Sequence, residues 1–383
     1  MSAIDPVELA QALIRRPSVT PRDEGAMGVV QEALERLGFH CRRMRFGEIE
    51  NLYARRGASG PNLCFAGHTD VVPVGDEAAW SSGPFAGELK NGTLYGRGAA
   101  DMKGAIAAFI AAVSQAPVPE AGSLSFLITG DEEGVATDGT CKVVEALLAE
   151  GEKIDHCIVG EPSSAEALGD MVKIGRRGSL NATITVEGRQ GHVAYPQRAA
   201  NPIRPLIEML ARLQAHRLDD GYQGFQPSNL EITTVDVGNA STNVIPARAS
   251  GRLNIRFNPA HTGASLAAWL EAERLAFEAG FGGGRIRLDV QVSGEAFLTE
   301  PGPFVEVIQD ACRAALGRDP ELSTTGGTSD ARFIRRLCPV VELGLVGKSM
   351  HAVDENVPAQ DLKDLTRLYG ELIARYFARF GPG

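Results

Sequence analysis

Histidine and carboxylate side chains stand just after apolar segments at several places in this sequence. In LCFAGHTD, His68 and Asp70 follow the apolar residues 63–66 at a spacing of two. Residues i and i+2 of an extended chain share one face, so we expect these two side chains to point the same way. Four further segments carry side chains of these types: GRGAADMKG with Asp101, TGDEEG with Asp131, Glu132 and Glu133, VGEP with Glu161, and MHAVDE with His351 and Glu355.

The residue types in these segments are those that bind zinc. Imidazole nitrogens and carboxylate oxygens are ligands of Zn²⁺, and two such ions need about five or six of them. Open α/β proteins bind their substrates and ions just beyond the carboxyl ends of the strands. We expect these segments to lie there. One carboxylate that bridges two ions, with a spare carboxylate as general base, would make a two-metal hydrolase.

Each segment also has a simpler explanation when it is taken alone. An aspartate in a glycine-rich loop, such as Asp101, is often a turn residue. GDEEG is often a solvated acidic loop, and GHTD can be a strand that ends in a polar loop. However, Glu132 and Glu133 are adjacent and follow the strand-like run SFLI, where like charges would repel each other without a cation. The five segments together therefore favour a metal site.

Motifs of other function classes are incomplete in this chain. GRGAAD begins like a dinucleotide fingerprint but has Asp101 in place of the third glycine, and GLVGKS has Glu342 where a Walker A motif needs glycine. GTSDA resembles a nucleophile elbow but ends in Ala331. A serine hydrolase that uses Ser329 stays as a second hypothesis, and nucleotide binding ranks below it.

Composition limits the partners and the compartment. The 383 residues carry a net charge of -10, which argues against nucleic acid or an anionic membrane as a partner. The six cysteines are scattered without a CxxC pair, as expected of reduced thiols. The N-terminus lacks the pattern of a signal peptide, and the apolar residues 104–113 are too few to span a bilayer. We expect a soluble, cytoplasmic protein that acts on a small molecule.

The elements that must position these residues change character along the chain. Before about residue 175, apolar strands alternate with helical patterns, which is typical of a sheet covered by helices. The following region reads as strand, helix, two strands, helix and strand, a compact split-βαβ α+β unit. We predict an α/β fold with a mixed sheet and helices on both faces. Residues 1–178 and 294–383 would form the catalytic domain, and 179–293 an inserted ferredoxin-like domain.

Eight segments, in order along nearly the whole chain, resemble one known family. GHTDVVPVGD, LYGRGAADMKGAIAAFI, LITGDEEG, CIVGEPSS, KIGRRGSL, GRQGHVAYP, STNVIPA and STTGGTSDARF are similar to the di-zinc peptidases and deacylases, which include carboxypeptidases, acetylornithine deacetylase and aminoacylases. The resemblance implies a zinc-peptidase-like catalytic domain with two Zn²⁺ ions per subunit and Co²⁺ as a substitute. It also implies a homodimer formed through the inserted domain, which would act as a dimerisation or lid domain.

The family pattern implies a metal-binding role for five residues. Asp101 would bridge both ions. His68 and Glu161 would complete one site, and Glu133 and His351 the other. The segment around the last ligand, VGKSMHAVDE, departs from the usual family pattern by placing Ala352 directly after the histidine.

Three further residues receive catalytic roles from the same resemblance. Glu132 would be the general base, and Asp70 would orient the ring of His68. His192 would reach across the dimer into the other active site and help to hold the oxyanion. A metal-free binding protein of this family would have lost a ligand or the base, and this sequence keeps all of them.

Basic residues just before and within the inserted domain would hold an anionic substrate. Arg176 and Arg177 lie in KIGRRGSL, where Lys173 is also present, and Arg256 lies in RLNIRF. Arginine binds carboxylates through two parallel hydrogen bonds, although two arginines before a glycine are also typical of a solvated turn. Further candidates for substrate contacts are Ser179, Tyr195, Asn243, Gly326, Gly327 and Thr328. The resemblance implies hydrolysis of an N-succinyl amino acid, with an N-acetyl or other N-acyl amino acid as the alternative.

Overall fold

The computed structural model describes residues 3–116 and 122–381. The chain divides into two compact units: the first is Met1–Ile174, Thr299–Ser323 and Ser329–Gly383, and the second is Gly175–Leu298 with Thr324–Thr328. The second unit begins before the predicted residue 179 because Gly175–Arg176 pairs with Phe297–Leu298 in a short antiparallel ladder. That pairing draws both ends of the segment into the same unit.

Both strands and helices occur throughout the described part of the chain. The strands are β1 (His40–Phe46), β2 (Ile49–Arg56), β3 (Asn62–His68), β4 (Glu88–Lys90), β5 (Thr93–Tyr95), β6 (Ser123–Thr129), β7 (His156–Val159), β8 (Met171–Lys173), β9 (Gly175–Arg176), β10 (Gly178–Glu187), β11 (Gly191–His192), β12 (Asn229–Asp236), β13 (Val244–Ile245), β14 (Arg248–Phe257), β15 (Arg285–Gly294), β16 (Phe297–Leu298), β17 (Glu321–Ser323), β18 (Val340–Glu342) and β19 (Asn356–Pro358). The α-helices are α1 (Pro6–Ile14), α2 (Ala26–Arg36), α3 (Gly104–Gln115), α4 (Thr140–Glu150), α5 (Ile203–Ala215), α6 (Gly263–Gly280), α7 (Pro303–Leu316), α8 (Ala331–Ile334) and α9 (Ala359–Phe380).

The first unit is built on an eight-stranded sheet in the order β1-β2-β6-β3-β7-β18-β8-β17. The sheet is mixed, because β3 runs parallel to β6 and β7 whereas β2 is antiparallel to both β1 and β6. Its central strands β3 and β6 are buried along their whole length, as their apolar sequences require. The apolar helix α3 packs against α1 and α9. The predicted α/β class with a mixed sheet and helices is confirmed.

The register of the central strands brings the polar segments to one edge of this sheet. His68, the last residue of β3, stands opposite Thr129, the last residue of β6. Ala66 of β3 stands opposite Val159, which ends the parallel strand β7. The chain leaving β6 and β7 therefore starts its loops beside His68, as expected for parallel strands.

The second unit contains a four-stranded antiparallel sheet in the order β12-β14-β10-β15. The helix α5 packs on β10, β12 and β14, and α6 packs on β15 and β10. Inward-facing apolar side chains of these elements form one buried cluster. The long elements follow the order β10, α5, β12, β14, α6 and β15, which is the split-βαβ order expected for the inserted region.

No helix within the described ranges is both long enough and apolar enough to cross a bilayer.

Candidate metal centre

One group of possible metal ligands lies at the carboxyl edge of the large sheet. His68 Nε2 lies 3.1 Å from Asp101 Oδ1 and 3.7 Å from Glu161 Oε1. All three residues are buried. The nitrogen and the two carboxylate oxygens lie within 4.8 Å of one another, so a single ion can contact all three.

A second group shares one residue with the first. His351 Nε2 lies 2.9 Å from Glu133 Oε1 and 3.4 Å from Asp101 Oδ2. Asp101 thus turns one carboxylate oxygen toward each histidine, the arrangement of a carboxylate that bridges two ions. Glu132 and Glu133 also form a group with His68, so Glu132 lies at the same place. The structure therefore brings together all the residues for which the sequence implied metal binding.

A buried oxygen without a hydrogen bond tests whether a cation fits this place. Among the described residues, Glu161 Oε1 is buried and has no hydrogen-bond partner. Burying an ionised carboxylate oxygen is costly unless a hydrogen bond or a cation compensates it. Imidazole and carboxylate are donors suited to Zn²⁺ and related divalent ions. These side chains fit a divalent metal centre.

The two histidines are drawn toward their protonated forms by the carboxylates around them. Hydrogen bonds with Asp101 and Glu133 raise the pKa of His351 to about 10. Burial lowers the pKa of His68, but its hydrogen bond with Asp101 and the charge of Glu161 outweigh burial and raise it well above its usual value. A metal ion needs the neutral ring nitrogen, so it competes with these protons.

Burial and neighbouring negative charges also raise the pKa of two carboxylates at this place. Burial raises the pKa of Glu161 well above its usual value, and the charges of Asp101 and Glu132 add to this. Desolvation likewise raises the pKa of Glu132, with Asp330 and Glu133 contributing, although His68 opposes the shift. A raised pKa is the direction that a carboxylate acting as a general base requires.

Metal binding is therefore expected to release protons and to weaken as the pH falls. With the pKa of His351 near 10, this ring is protonated at pH 7 to 8 in the metal-free protein, and a cation must displace that proton. Calorimetric titration with Zn²⁺ in buffers of different ionisation enthalpy measures the number released. We expect His351→Ala to release fewer protons than the wild type. Equal heats in all buffers at pH 7.5 would contradict this explanation.

The contact between Asp70 and His68 differs from the prediction. The atom of Asp70 within hydrogen-bond distance of His68 Nδ1 is its main-chain carbonyl oxygen, at 2.9 Å, whereas the nearer carboxylate oxygen lies 3.7 Å away. The carboxylate instead accepts the backbone N–H groups of Glu132 and Glu133, at 3.2 and 3.0 Å. Because β3 ends at His68, Asp70 lies beyond the extended strand, although its carboxylate is still within ion-pair distance of the ring. Its side chain holds the loop that carries both glutamates.

Two buried residues beside this centre received no role from the sequence. Glu355 was noted as an acidic residue near His351, but it joins neither metal group. It pairs instead with Arg97, at 2.8 Å. In the sequence, Arg97 is visible only as a single arginine between the glycines of GRGAAD. No sequence rule identifies its partner.

The candidate substrate-binding arginines all lie in the second unit. Arg176 Nη1 donates to the carbonyl oxygen of Thr325 at 2.9 Å. Gly326 has a φ of +109°, which favours glycine, and Arg176 Nη1 lies 2.0 Å from where a Cβ of this residue would be. Gly327 and Thr328 follow in the same segment.

The other basic candidates lie at or beside the adjacent strands β12, β14 and β10. Arg177 Nη1 donates to Asn229 Oδ1 at 2.9 Å. Ser179 of β10 and Asn229 of β12 both stand opposite Arg256 of β14. The structure therefore brings Arg177, Ser179 and Arg256 together at one corner of the antiparallel sheet.

His192, Tyr195 and Asn243 form a separate exposed group in the second unit. The strands β11 and β13 pair His192 with Val244, and the N–H of Val193 donates to the carbonyl oxygen of Asn243 at 3.1 Å. His192 Nδ1 accepts the N–H of Ala194 at 3.1 Å. In the neutral ring this contact places the proton on Nε2, so that nitrogen is available as a donor.

The surroundings of Ser329 do not suit a nucleophile. Its hydroxyl donates to the carboxylate of Glu342, and the side chain is buried. Within the described ranges no hydrogen bond joins Ser329 to a histidine, the usual base of a serine hydrolase. The second hypothesis from the sequence therefore gains no support.

The sequence of this chain is similar to those of known proteins over most of its length. The family model for peptidase family M20/M25/M40 matches residues 64–375. The succinyl-diaminopimelate desuccinylase of Caulobacter sp. (strain K31) is 70% identical over 378 residues, covering 99% of this chain and 97% of the relative.

Solved structures of low sequence identity share the fold. The M20 family metallo-carboxypeptidase Sso-CP2 of Sulfolobus solfataricus has a TM-score of 0.78 at 17% identity, over 98% of this chain and 99% of that chain. The YXEP protein of Bacillus subtilis, described as a dinuclear metal-binding peptidase, has a TM-score of 0.72 at 16% identity, over 98% of each chain. The motifs, the fold and the match over most of its length agree: this chain belongs to peptidase family M20/M25/M40.

Proposed function

We propose that this protein hydrolyses the amide of N-succinyl-LL-2,6-diaminopimelate to succinate and LL-2,6-diaminopimelate, a step in lysine and diaminopimelate biosynthesis. The observation that carries the hydrolytic part is Asp101, whose two oxygens face separate histidine–carboxylate groups. Two relatives, of 70% and 65% identity over almost the whole chain, share the name succinyl-diaminopimelate desuccinylase, which supports this choice of substrate.

The centre is proposed to hold two Zn²⁺ ions per subunit, for which Co²⁺ can substitute. His68, Asp101 and Glu161 would hold one ion, and Asp101, Glu133 and His351 the other. When bound, such ions supply Lewis acidity, which lowers the pKa of a water molecule and draws charge from an amide carbonyl.

Glu132 is proposed to transfer the protons of the reaction. It removes a proton from the attacking water and delivers it to the leaving amine nitrogen. Two observations support this role: its pKa is raised by desolvation, and its backbone N–H is held by the carboxylate of Asp70. A base fixed at its main chain keeps a defined position through both proton transfers.

The second unit is proposed to form a homodimer and to supply His192 to the second subunit's centre. The strand β12 lies at one edge of its sheet, and most of its later residues are exposed. An edge strand presents unpaired backbone groups that can pair with another copy. His192 Nε2 would then donate to the oxyanion. We also propose a cytoplasmic location. All six cysteines are free thiols, which is usual in a reducing compartment.

Arginines of the second unit are proposed to bind the three carboxylates of the substrate. Arg176→Lys should lower kcat/KM by about 10–100-fold, mainly through KM, because a charged hydrogen-bonded pair contributes about 1.5–3 kcal/mol. Steady-state kinetics measure the change. Arg287→Lys is the matched control, since Arg287 is a half-exposed residue of β15 that pairs with Glu187. Equal KM values in Arg176→Lys and the control would remove Arg176 from the binding site.

The substrate is tested by comparing two amides on the zinc-loaded protein. We expect kcat/KM for N-succinyl-LL-2,6-diaminopimelate to exceed that for N-acetylornithine by a large factor. A higher value for the acetyl compound would keep the metal-dependent hydrolysis but make the protein a deacetylase.

A further inference from the structure

Arg97 and Glu355 form an ion pair that is almost completely withdrawn from solvent. Arg97 is 2% exposed and Glu355 0%, and Arg97 Nη1 donates to Glu355 Oε2 at 2.8 Å. Arg97 precedes the shared ligand Asp101 by four residues, and Glu355 follows His351 by four. The pair therefore joins the two chain segments that carry these ligands.

Glu355 holds the main chain on the Asp101 side. Its Oε1 accepts the backbone N–H of Ala100 at 2.9 Å and that of Asp101 at 3.1 Å. Two bonds to successive amides fix the orientation of that peptide segment. The carboxylate of Asp101, which must face both groups at once, is attached to this fixed main chain.

Arg97 holds the main chain on the His351 side. Its Nη2 lies 3.3 Å from the carbonyl oxygen of His351, and its Nη1 lies 3.1 Å from that of Ala352. His351 has a φ of +61°, a left-handed conformation that a residue with a Cβ adopts only at a cost. The guanidinium group holds the carbonyl oxygens of this unfavourable turn, and Nη2 also lies 3.4 Å from the carbonyl oxygen of Pro73.

We propose that Arg97 and Glu355 are positioning residues that fix the separation of Asp101 and His351 and thereby set the metal affinity of the group that those two share with Glu133. The proposal rests on the metal-dependent function proposed above. Among the described residues, neither belongs to a group of possible metal ligands. One side chain holds the backbone of each ligand, and the ion pair joins the two.

The test measures zinc affinity directly on metal-free protein, with a chromophoric chelator as competitor. The variants are Arg97→Lys, which replaces a forked donor by a single ammonium, and Glu355→Gln, which keeps the shape and removes the charge. Loss of such supporting contacts typically lowers metal affinity by about 10–100-fold. We expect a decrease of that size for the zinc ion at the group of Asp101, Glu133 and His351, and a smaller change for the other.

A control separates positioning from general stability. Glu152→Gln removes the charge of the Arg55–Glu152 pair and should leave both zinc affinities unchanged. Arg55 stands opposite Ser125 near the start of β6, whereas His68 stands opposite Thr129 at its end. Thermal melting of the metal-free proteins shows which variants are folded. If Arg97→Lys fails to fold, Glu355→Gln tests the proposal.

The outcomes distinguish this proposal from the proposed function. If both variants are folded and bind two zinc ions as tightly as the wild type, the pair is only a structural element. If the wild type itself binds no divalent ion, the proposed function fails and this proposal fails with it. Equal losses of affinity in Glu152→Gln would also overturn it.

Discussion

Replacing Glu132 with glutamine is expected to lower kcat by about 10²–10⁴-fold, the contribution typical of a positioned general base. Glutamine keeps the shape of the side chain and the backbone N–H that the carboxylate of Asp70 accepts. The loss should therefore arise from the missing proton acceptor and not from a displaced loop. Single-turnover kinetics on zinc-loaded protein, with metal content measured on the same sample, check this result.

The neighbouring residue provides the matched control for this variant. Glu133 lies in the same loop, and its oxygen faces His351 at 2.9 Å. We expect Glu133→Gln to lose zinc affinity, and excess zinc should restore part of its activity. Glu132→Gln should keep both ions and gain nothing from added zinc. A Glu132→Gln protein with nearly normal kcat, or with one ion missing, would disprove the assigned role.

Replacing Asp101 with asparagine is expected to weaken both metal sites at once. The two carboxylate oxygens of Asp101 face different histidines, and asparagine offers only one oxygen and an N–H₂ group that cannot bind a cation. Hydrogen bonds from His351 and His68 also lower the pKa of Asp101 despite its burial, so this residue is ionised at neutral pH. Zinc content after dialysis should fall from two equivalents toward none, and activity should fall with it.

His351→Ala distinguishes a shared ligand from a ligand of one site. It removes a residue that belongs to only one of the two groups that share Asp101, so one zinc equivalent should remain bound. If Asp101→Asn keeps one tight equivalent as well, the carboxylate belongs to a single ion. The bridging role would then be wrong, although the centre itself would remain.

The sequence predicted the edge of the sheet better than the contacts made there. Apolar runs such as β3 and β6 and the polar residues that follow them were visible directly, because strand burial leaves a simple local pattern. The family resemblance then supplied a role for most of these polar residues, although not for Asp131 or Glu355. The structure groups those residues at the same edge, and their roles remain proposals for the experiments above.

Contacts between distant segments had no local signal. Arg97 and Glu355 are 258 positions apart, and hydropathy says nothing about such a pair. The return of Thr324–Thr328 to the second unit was likewise not predicted, because Arg176 contacts this segment only after folding. At Asp70 the spacing was interpreted as strand geometry, but β3 ends at His68, two residues before Asp70.

The most direct test is a zinc titration of metal-free protein, with bound zinc and succinate release from N-succinyl-LL-2,6-diaminopimelate measured on the same samples. We predict no activity in the presence of excess chelator, and activity that rises with bound zinc until two equivalents are present per chain. Activity that persists in chelator without bound metal would contradict the assignment of His68, Asp101, Glu133, Glu161 and His351 as ligands of a catalytic centre.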